Sequence, residues 1–183
     1  MRKDLKKVIL LTSEEFGNKE VSITFTPNEE NLINRRFFVP LIFLVEKSDK
    51  YYLKVWFRIK EVKDGKAYTV FDGIDCIRSY LQSLVYKGIK VQEIYINAET
   101  KDKNKFRIKY LITYDGKPSR RQRKEIAKRV EEVTKENLEK SDTKTFINNY
   151  VITNRYLAWV SKAIRKIYPP KTITIRKIER LKV

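Results

Sequence analysis

Hydrophobic positions alternate at a period of two through most of the first 114 residues and repeat at a helical period through most of the remainder. Lys7 to Thr12 reads as a strand. After a turn signal at Gly17-Asn18, Val21, Ile23 and Phe25 alternate with Ser22, Thr24 and Thr26, as in a half-buried strand. Pro27 and the Asn/Glu cluster behind it predict a loop. Phe37 to Val45 is almost continuously apolar but contains Pro40, which lacks a ladder N–H, so that strand lies at an edge or is bulged or split there. Ser48-Asp49 predicts a turn. Tyr51 to Val62 is a long strand, with Leu53, Val55, Phe57 and Ile59 on one face and Lys54, Trp56, Arg58 and Lys60 on the other. Asp64-Gly65 is a type I′ hairpin signal.

The stretch from Lys66 to Gly88 changes period within itself. Ala67, Thr69 and Phe71 alternate with Tyr68 and Val70 as a strand, and Gly73 breaks the run. Asp75 suits an N-cap, and Ile77, Leu81, Leu84 and Val85 then share one helical face. Gly88 stands where a helix ends in the left-handed conformation. Ile89 to Asn97 is a strand whose shift of parity near Gln92 predicts a bulge. In the strand Phe106 to Tyr114, Phe106, Ile108, Tyr110 and Ile112 alternate with Arg107, Lys109 and Leu111. Beyond Asp115-Gly116, Ser119 and Gln122 form a capping-box pattern that opens a helix to about Leu138. Thr143 to Asn149 predicts a short helix, and Thr153 or Asn154 caps another that stops at Pro169-Pro170. A last strand, Thr172 to Ile178, returns to the main sheet. The predicted class is α+β: a strand-rich antiparallel sheet or barrel core over residues 5–114, helices near 75–87, 119–138 and 153–167, and a C-terminal strand. The chain reads as a single domain over residues 1–183, with Met1 to Lys7 a candidate basic tail that orders only on RNA.

Charge narrows the function more than pattern does. Forty-one Lys and Arg against 23 Asp and Glu give a formal net charge of +18, a self-repulsion that points to a polyanionic partner. Nucleic acid leads, with an anionic membrane surface second. The chain has no histidine, which removes both the commonest general base and the commonest metal ligand. Its one cysteine, Cys76, excludes an internal disulfide and a cysteine-based zinc site, and its apolar neighbours favour a buried structural thiol. No apolar run approaches the length of a membrane-spanning helix.

The most informative functional stretch is KPSRRQRKEIAKR. Lys117, Arg120, Arg121, Arg123, Lys124, Lys128 and Arg129 surround a single acid, Glu125, at a predicted helix start whose N–H donors and positive dipole end suit phosphate. The alternative is a solvated helix face laced with Glu–Lys pairs, which fits the part beyond Glu131. Arg78 and Lys87 on the first helix, and Arg176 and Lys177 near the end, are secondary candidates for RNA contact. Tyr51, Tyr52, Trp56, Tyr68, Tyr110 and Tyr114 are candidates for base stacking, although strand spacing more often means packing. For a magnesium-dependent nuclease, Asp72, Asp75, Glu99 and Asp102 are the carboxylates to consider, but their spacing matches no catalytic pattern. No Walker-type loop, GxGxxG or RNA-binding signature is present, so neither a catalytic residue, a cofactor, a metal nor a small-molecule substrate is expected.

Taken together, KAYTVFDGIDCIRSYLQSLVYKG, the preceding YLKVWFRIKEV, the basic RRQRKEI and the ending KAIRKIYPPKTITIRKIERL resemble one family in the right order. It is the S-three-Ae (eukaryotic-type S-one) family of archaeal and eukaryotic small-subunit ribosomal proteins. The resemblance covers residues 50–183, and includes an Ile-Arg-Lys triplet at Ile175-Arg176-Lys177. The first 45 residues match weakly, and Pro170 stands for a usual leucine, departures that suggest a divergent or shortened member. The resemblance implies a non-enzymatic structural protein of the cytoplasmic ribosome with a barrel-like core. It implies binding to small-subunit rRNA on the platform near the mRNA exit, contact with neighbouring ribosomal proteins, and no membrane association. The rival reading is a free-standing basic nucleic-acid-binding module outside the ribosome.

Overall fold

A computed structural model describes residues 5–45 and 50–181, arranged as two compact units that divide after Gly73. The turn expected at Ser48-Asp49 and the first four residues of the expected tail lie outside the described residues. Lys6 already opens the first strand.

In the first unit, β1 (Lys6–Ser13), β2 (Glu20–Thr26), β3 (Arg36–Pro40), β4 (Leu53–Lys63) and the part of β5 (Lys66–Cys76) up to Gly73 pair in the order β2-β1-β5-β4-β3. β1 runs antiparallel to β2, and β3 antiparallel to β4. β1 is parallel to β5, an exception to the expected antiparallel plan. Such a pairing needs a long crossover, and the chain from Ser13 to Lys66 supplies it. The hairpin between β4 and β5 forms as the dipeptide predicts, with Asp64 at φ 51° and Gly65 at φ 70°.

The alternation in β4 is realised in full: Leu53, Val55, Phe57 and Ile59 are buried, while Lys54, Trp56 and Arg58 are half-buried on the other face. Phe57 lies at the centre, 5.6 Å from the ring of Phe16 and 5.7 Å from that of Phe37. Val8, Leu10, Leu32, Ile59 and Ala67 form an adjoining cluster. Pro40 does split its apolar run, but the chain continues as a one-turn helix, α1 (Leu41–Leu44), rather than as more strand. On β2 the expected apolar face is only partly inward: Val21 packs against the Val8 cluster, Ile23 and Phe25 are half or more exposed, and the buried position is Thr26.

Three expectations for the stretch from Lys66 to Gly88 are corrected. β5 does not break at Gly73; it passes through that residue at φ 149°, a value suited to glycine, and ends at Cys76. The helix α2 (Arg78–Leu84) therefore starts later, its N-cap is Ile77, and Asp75 remains in the strand. No residue of α2 is fully buried, so its apolar stripe covers a surface rather than a core.

Cys76 is buried at the end of β5, and burial, aided by the charge of Asp75, pushes its thiol up to about 12. Native protein at pH 8 should thus resist a thiol reagent such as dithionitrobenzoate and react fully only when unfolded. Because the folded protein holds this proton more tightly, the contribution to stability is complete below the ordinary value of 9.0 and is lost as pH rises toward about 12. Rapid labelling of the native chain at pH 8 would contradict this.

In the second unit, β6 (Lys90–Glu99), β7 (Lys105–Tyr114) and β8 (Thr172–Arg180) form an antiparallel arrangement, with β8 returning to β7 as expected. β6 pairs with β7 without a register shift, so the bulge expected near Gln92 is absent. The parity change has another cause: Ile94, Ile96 and Ala98 face the core, whereas Val91 faces an open groove beside α2. The bulge occurs instead where β7 meets β8, at Lys109/Tyr110.

Three helices complete this unit: α3 (Arg120–Lys140), α4 (Thr143–Ile147), which continues as a π-type turn over Asn148–Ile152, and α5 (Arg155–Ile164). The side chain of Asn154 does not cap α5; this residue enters the helix in a left-handed conformation at φ 57°. The helices pack through aromatic residues. Tyr150 and Tyr156 stack with centroids 3.7 Å apart, and Tyr156 Oη donates to Thr134 Oγ1 at 2.5 Å. Thr134 Oγ1 in turn donates to Val130 O. The Tyr150 hydroxyl is buried without a hydrogen-bond partner among the described residues. Tyr150→Phe should therefore leave the urea midpoint unchanged or raise it, whereas Tyr156→Phe should cost about 1 kcal/mol by removing the shorter of the two hydroxyl donors to Thr134 Oγ1 and leaving only Tyr110 Oη at 3.3 Å. Equal losses in both variants would show that the two hydroxyls are equivalent.

Candidate nucleic-acid interface

The start of α3 is built as the sequence predicts. Ser119 Oγ accepts from Gln122 N at 3.2 Å, and Gln122 Oε1 accepts from Ser119 N at 2.9 Å, completing the capping box. Two further bonds fix this end. Gln92 Nε2, from β6, donates to Arg123 O at 2.9 Å, and Gln122 Nε2 donates to Ile167 O at 3.3 Å. Gly116, just after β7, leaves room for the hydroxyl of Tyr168, with which a Cβ there would collide.

On this anchored end Lys117, Arg120, Arg121, Lys124 and Lys128 are all exposed. Arg121, Lys124 and Lys128 share one helical face at i, i+3 and i+7. Among the described residues, Lys117, Arg120, Arg121 and Lys124 form no ion pair, while Lys128 lies 4.0 Å from Glu132. From there the helix supplies its own counter-charges: Arg129 pairs with Glu132 at 3.1 Å and Lys135 with Glu131 at 2.6 Å. The first turn contains no acid, so cations occupy the positive end of the helix dipole, where carboxylates would be stabilising. An anion bound at this end would relieve that local conflict.

Arg123 departs from this set. It shares the i, i+3, i+7 face of buried Ile126 and Val130, and its Nε is buried without a hydrogen-bond partner among the described residues. Its charge lies close enough to Tyr114 to oppose, in part, the burial that pushes that phenol up to about 12. Arg123 therefore belongs to the packing of α3 more than to its outer face.

The secondary candidates are divided. Arg78 and Lys87 are exposed. The fold brings Arg78 and Arg176 to the same groove, lined also by Leu81, Val85, Val91 and Leu111. There Arg176 is already paired with Glu93, and Lys177 is held by Glu179 at 2.6 Å. Of the aromatic candidates, Tyr110 and Tyr114 are fully buried and cannot stack on a base. Tyr51 and Tyr68 are exposed, and Tyr52 and Trp56 are half-buried. Of the carboxylates named for metal chemistry, Asp72 lies between Arg36 and Arg58, Asp102 accepts from Thr143 N at 2.7 Å, and Glu99 lies 4.0 Å from Lys105.

The profile of the ribosomal S3Ae family matches residues 2–183. The chain belongs to the ribosomal S3Ae family. Similar proteins named small ribosomal subunit protein eS1 occur in several archaea. That of Methanopyrus kandleri is 31% identical over 180 residues, covering 97% of this chain and 85% of its own length. That of Staphylothermus marinus is 28% identical, covering 92% of this chain and 79% of its own. That of Sulfolobus acidocaldarius is 26% identical, covering 97% and 91%. The match of the S3Ae profile extends over the residues of β1 to β3, where the sequence resemblance is faint.

Proposed function

We propose that this S3Ae protein is a structural constituent of the small ribosomal subunit, acting in translation in the cytoplasm and without catalysis. It binds small-subunit rRNA, on the platform near the mRNA exit, and contacts neighbouring ribosomal proteins. The observation that carries the RNA contact is the cluster at the start of α3: Lys117, Arg120, Arg121 and Lys124, exposed and, among the described residues, without internal counter-charges on a capped and anchored helix end. Arginine grips phosphate with a planar fork and lysine with a mobile point charge, so the interface works by charge neutralisation and shape. Lys128, Arg78 and Lys87 extend it, while Arg123 supports the helix from beneath. Arg176 and Lys177 can join only by exchanging their carboxylate partners for phosphate.

The test is sedimentation of a native lysate with detection of the chain across the gradient at low and high salt. Co-migration with small subunits that survives moderate salt is the expected result. A chain that stays at the top, or travels with bulk nucleic acid until salt strips it off, would replace this reading with that of a free-standing nucleic-acid-binding module.

A further inference from the structure

The outer face of β3 and β4 carries a second group of cations, and here they are interleaved with rings. The register sets Phe38 opposite Trp56, Arg36 opposite Arg58, and Pro40 opposite Lys54. Val39, Val55 and Phe57 point to the core, so Arg36, Phe38, Lys54, Trp56 and Arg58 share the face turned away from it. The rings of Phe38 and Trp56 lie 5.2 Å apart at 56°, and Phe38 is 44% exposed. Arg36 sits 4.9 Å over the Trp56 ring and Lys54 sits 4.5 Å over that of Phe38. Beneath them Asp72, almost wholly buried, takes Arg36 Nε at 2.5 Å and Arg58 at 2.9 and 3.3 Å. One carboxylate thus fixes two guanidinium groups and leaves the face positive.

From this arrangement we infer that the β3–β4 face is a binding surface for unpaired RNA, where bases stack on Phe38, Trp56 and the Arg36 plane while Lys54 meets phosphate and Arg58, held by Asp72 and Asn34 O, keeps the face in place. Complementary charge and ring geometry together select this partner. A duplex offers phosphates but no open base faces, whereas an unpaired strand offers both. Packing alone would account for rings turned inward, as on the other face of β4. It does not account for the Trp56 ring held outward beneath an arginine, Arg36, that the neighbouring Asp72 carboxylate orients. The inference shares with the proposed function only the assumption of an RNA partner, and concerns a different surface.

The test uses the full chain carrying Trp159→Phe, which leaves Trp56 as the sole tryptophan, because the sequence contains two. Trp159 is 46% exposed, so the change is mild. An unstructured oligouridylate and an RNA duplex are titrated in turn. Oligouridylate should quench Trp56 strongly and the duplex should not. Phe38→Leu, which keeps apolar packing but removes the π face, should weaken oligouridylate binding about tenfold and leave duplex binding unchanged. Equal quenching by both RNAs, no quenching, or wild-type affinity in Phe38→Leu would overturn the inference. So would equal quenching by oligoglutamate, which would make this an acidic-peptide site. The α3 cluster fails separately: replacing Arg120, Arg121 and Lys124 with glutamine should weaken duplex binding yet preserve the quench at saturating oligouridylate. If duplex binding is unchanged, the α3 reading falls while the β3–β4 face stands.

Discussion

Replacing Arg120, Arg121 and Lys124 together with glutamine should reduce the salt dependence of RNA binding by about two to three units of slope. Each lost phosphate contact removes about 0.7 to 0.9 of a unit in a plot of log affinity against log salt. The loss is largest at low salt, and no other substitution considered should affect RNA binding as much. Glutamine keeps the length and helix propensity of the side chains, so the thermal midpoint should scarcely move. Arg123→Gln should behave differently. Its side chain lies on the face of Ile126 and Val130, so stability should change and the salt slope should not. Measured by fluorescence anisotropy across a salt series, an unaltered slope in the triple variant would remove this helix end from the interface.

The largest effect on stability should come from Phe57→Ala, at about 3 to 5 kcal/mol. Phe57 is completely buried in β4 and meets both Phe16 and Phe37, so truncation leaves a cavity bounded by aromatic walls. Phe43→Ala is the matched control: the same atoms are removed from a residue that is 75% exposed, and the effect should be about a few tenths of a kcal/mol. Urea unfolding of the two variants decides the matter. A small loss in Phe57→Ala would show that the first unit relaxes around the gap.

Both sites also mark the border between what local pattern reveals and what it hides. Phe57 is legible because strict alternation through β4 allows only one inward face. The capping box at Ser119 is equally legible, since it needs only residues three apart. Arg123 is hard to place because a run of cations looks like one block. The helical interval to Ile126 and Val130 carries the missing signal. The Asp75 cap fails for a different reason: glycine at 73 permits an extended conformation as readily as a break, and strand pairing selects extension. Phe38 is hidden because the run from Phe37 to Val45 is apolar on both faces, and alternation is invisible where every residue is hydrophobic.

The sequence by itself determined the α+β class, the hairpin at Asp64-Gly65, the boundaries of α3, the basic character of its first turns and the family to which the chain belongs. These rest on periodicity, capping and turn chemistry, which act over a few residues, and on motif order. Tertiary structure alone decided the parallel pairing of β1 with β5, the outward turn of Ile23 and Phe25, and the meeting of Arg78 with Arg176 at one groove. It also decided which cations remain open to a partner. An ion pair such as Arg176 with Glu93 joins residues far apart in the chain, and only folding brings such charges together or keeps them apart.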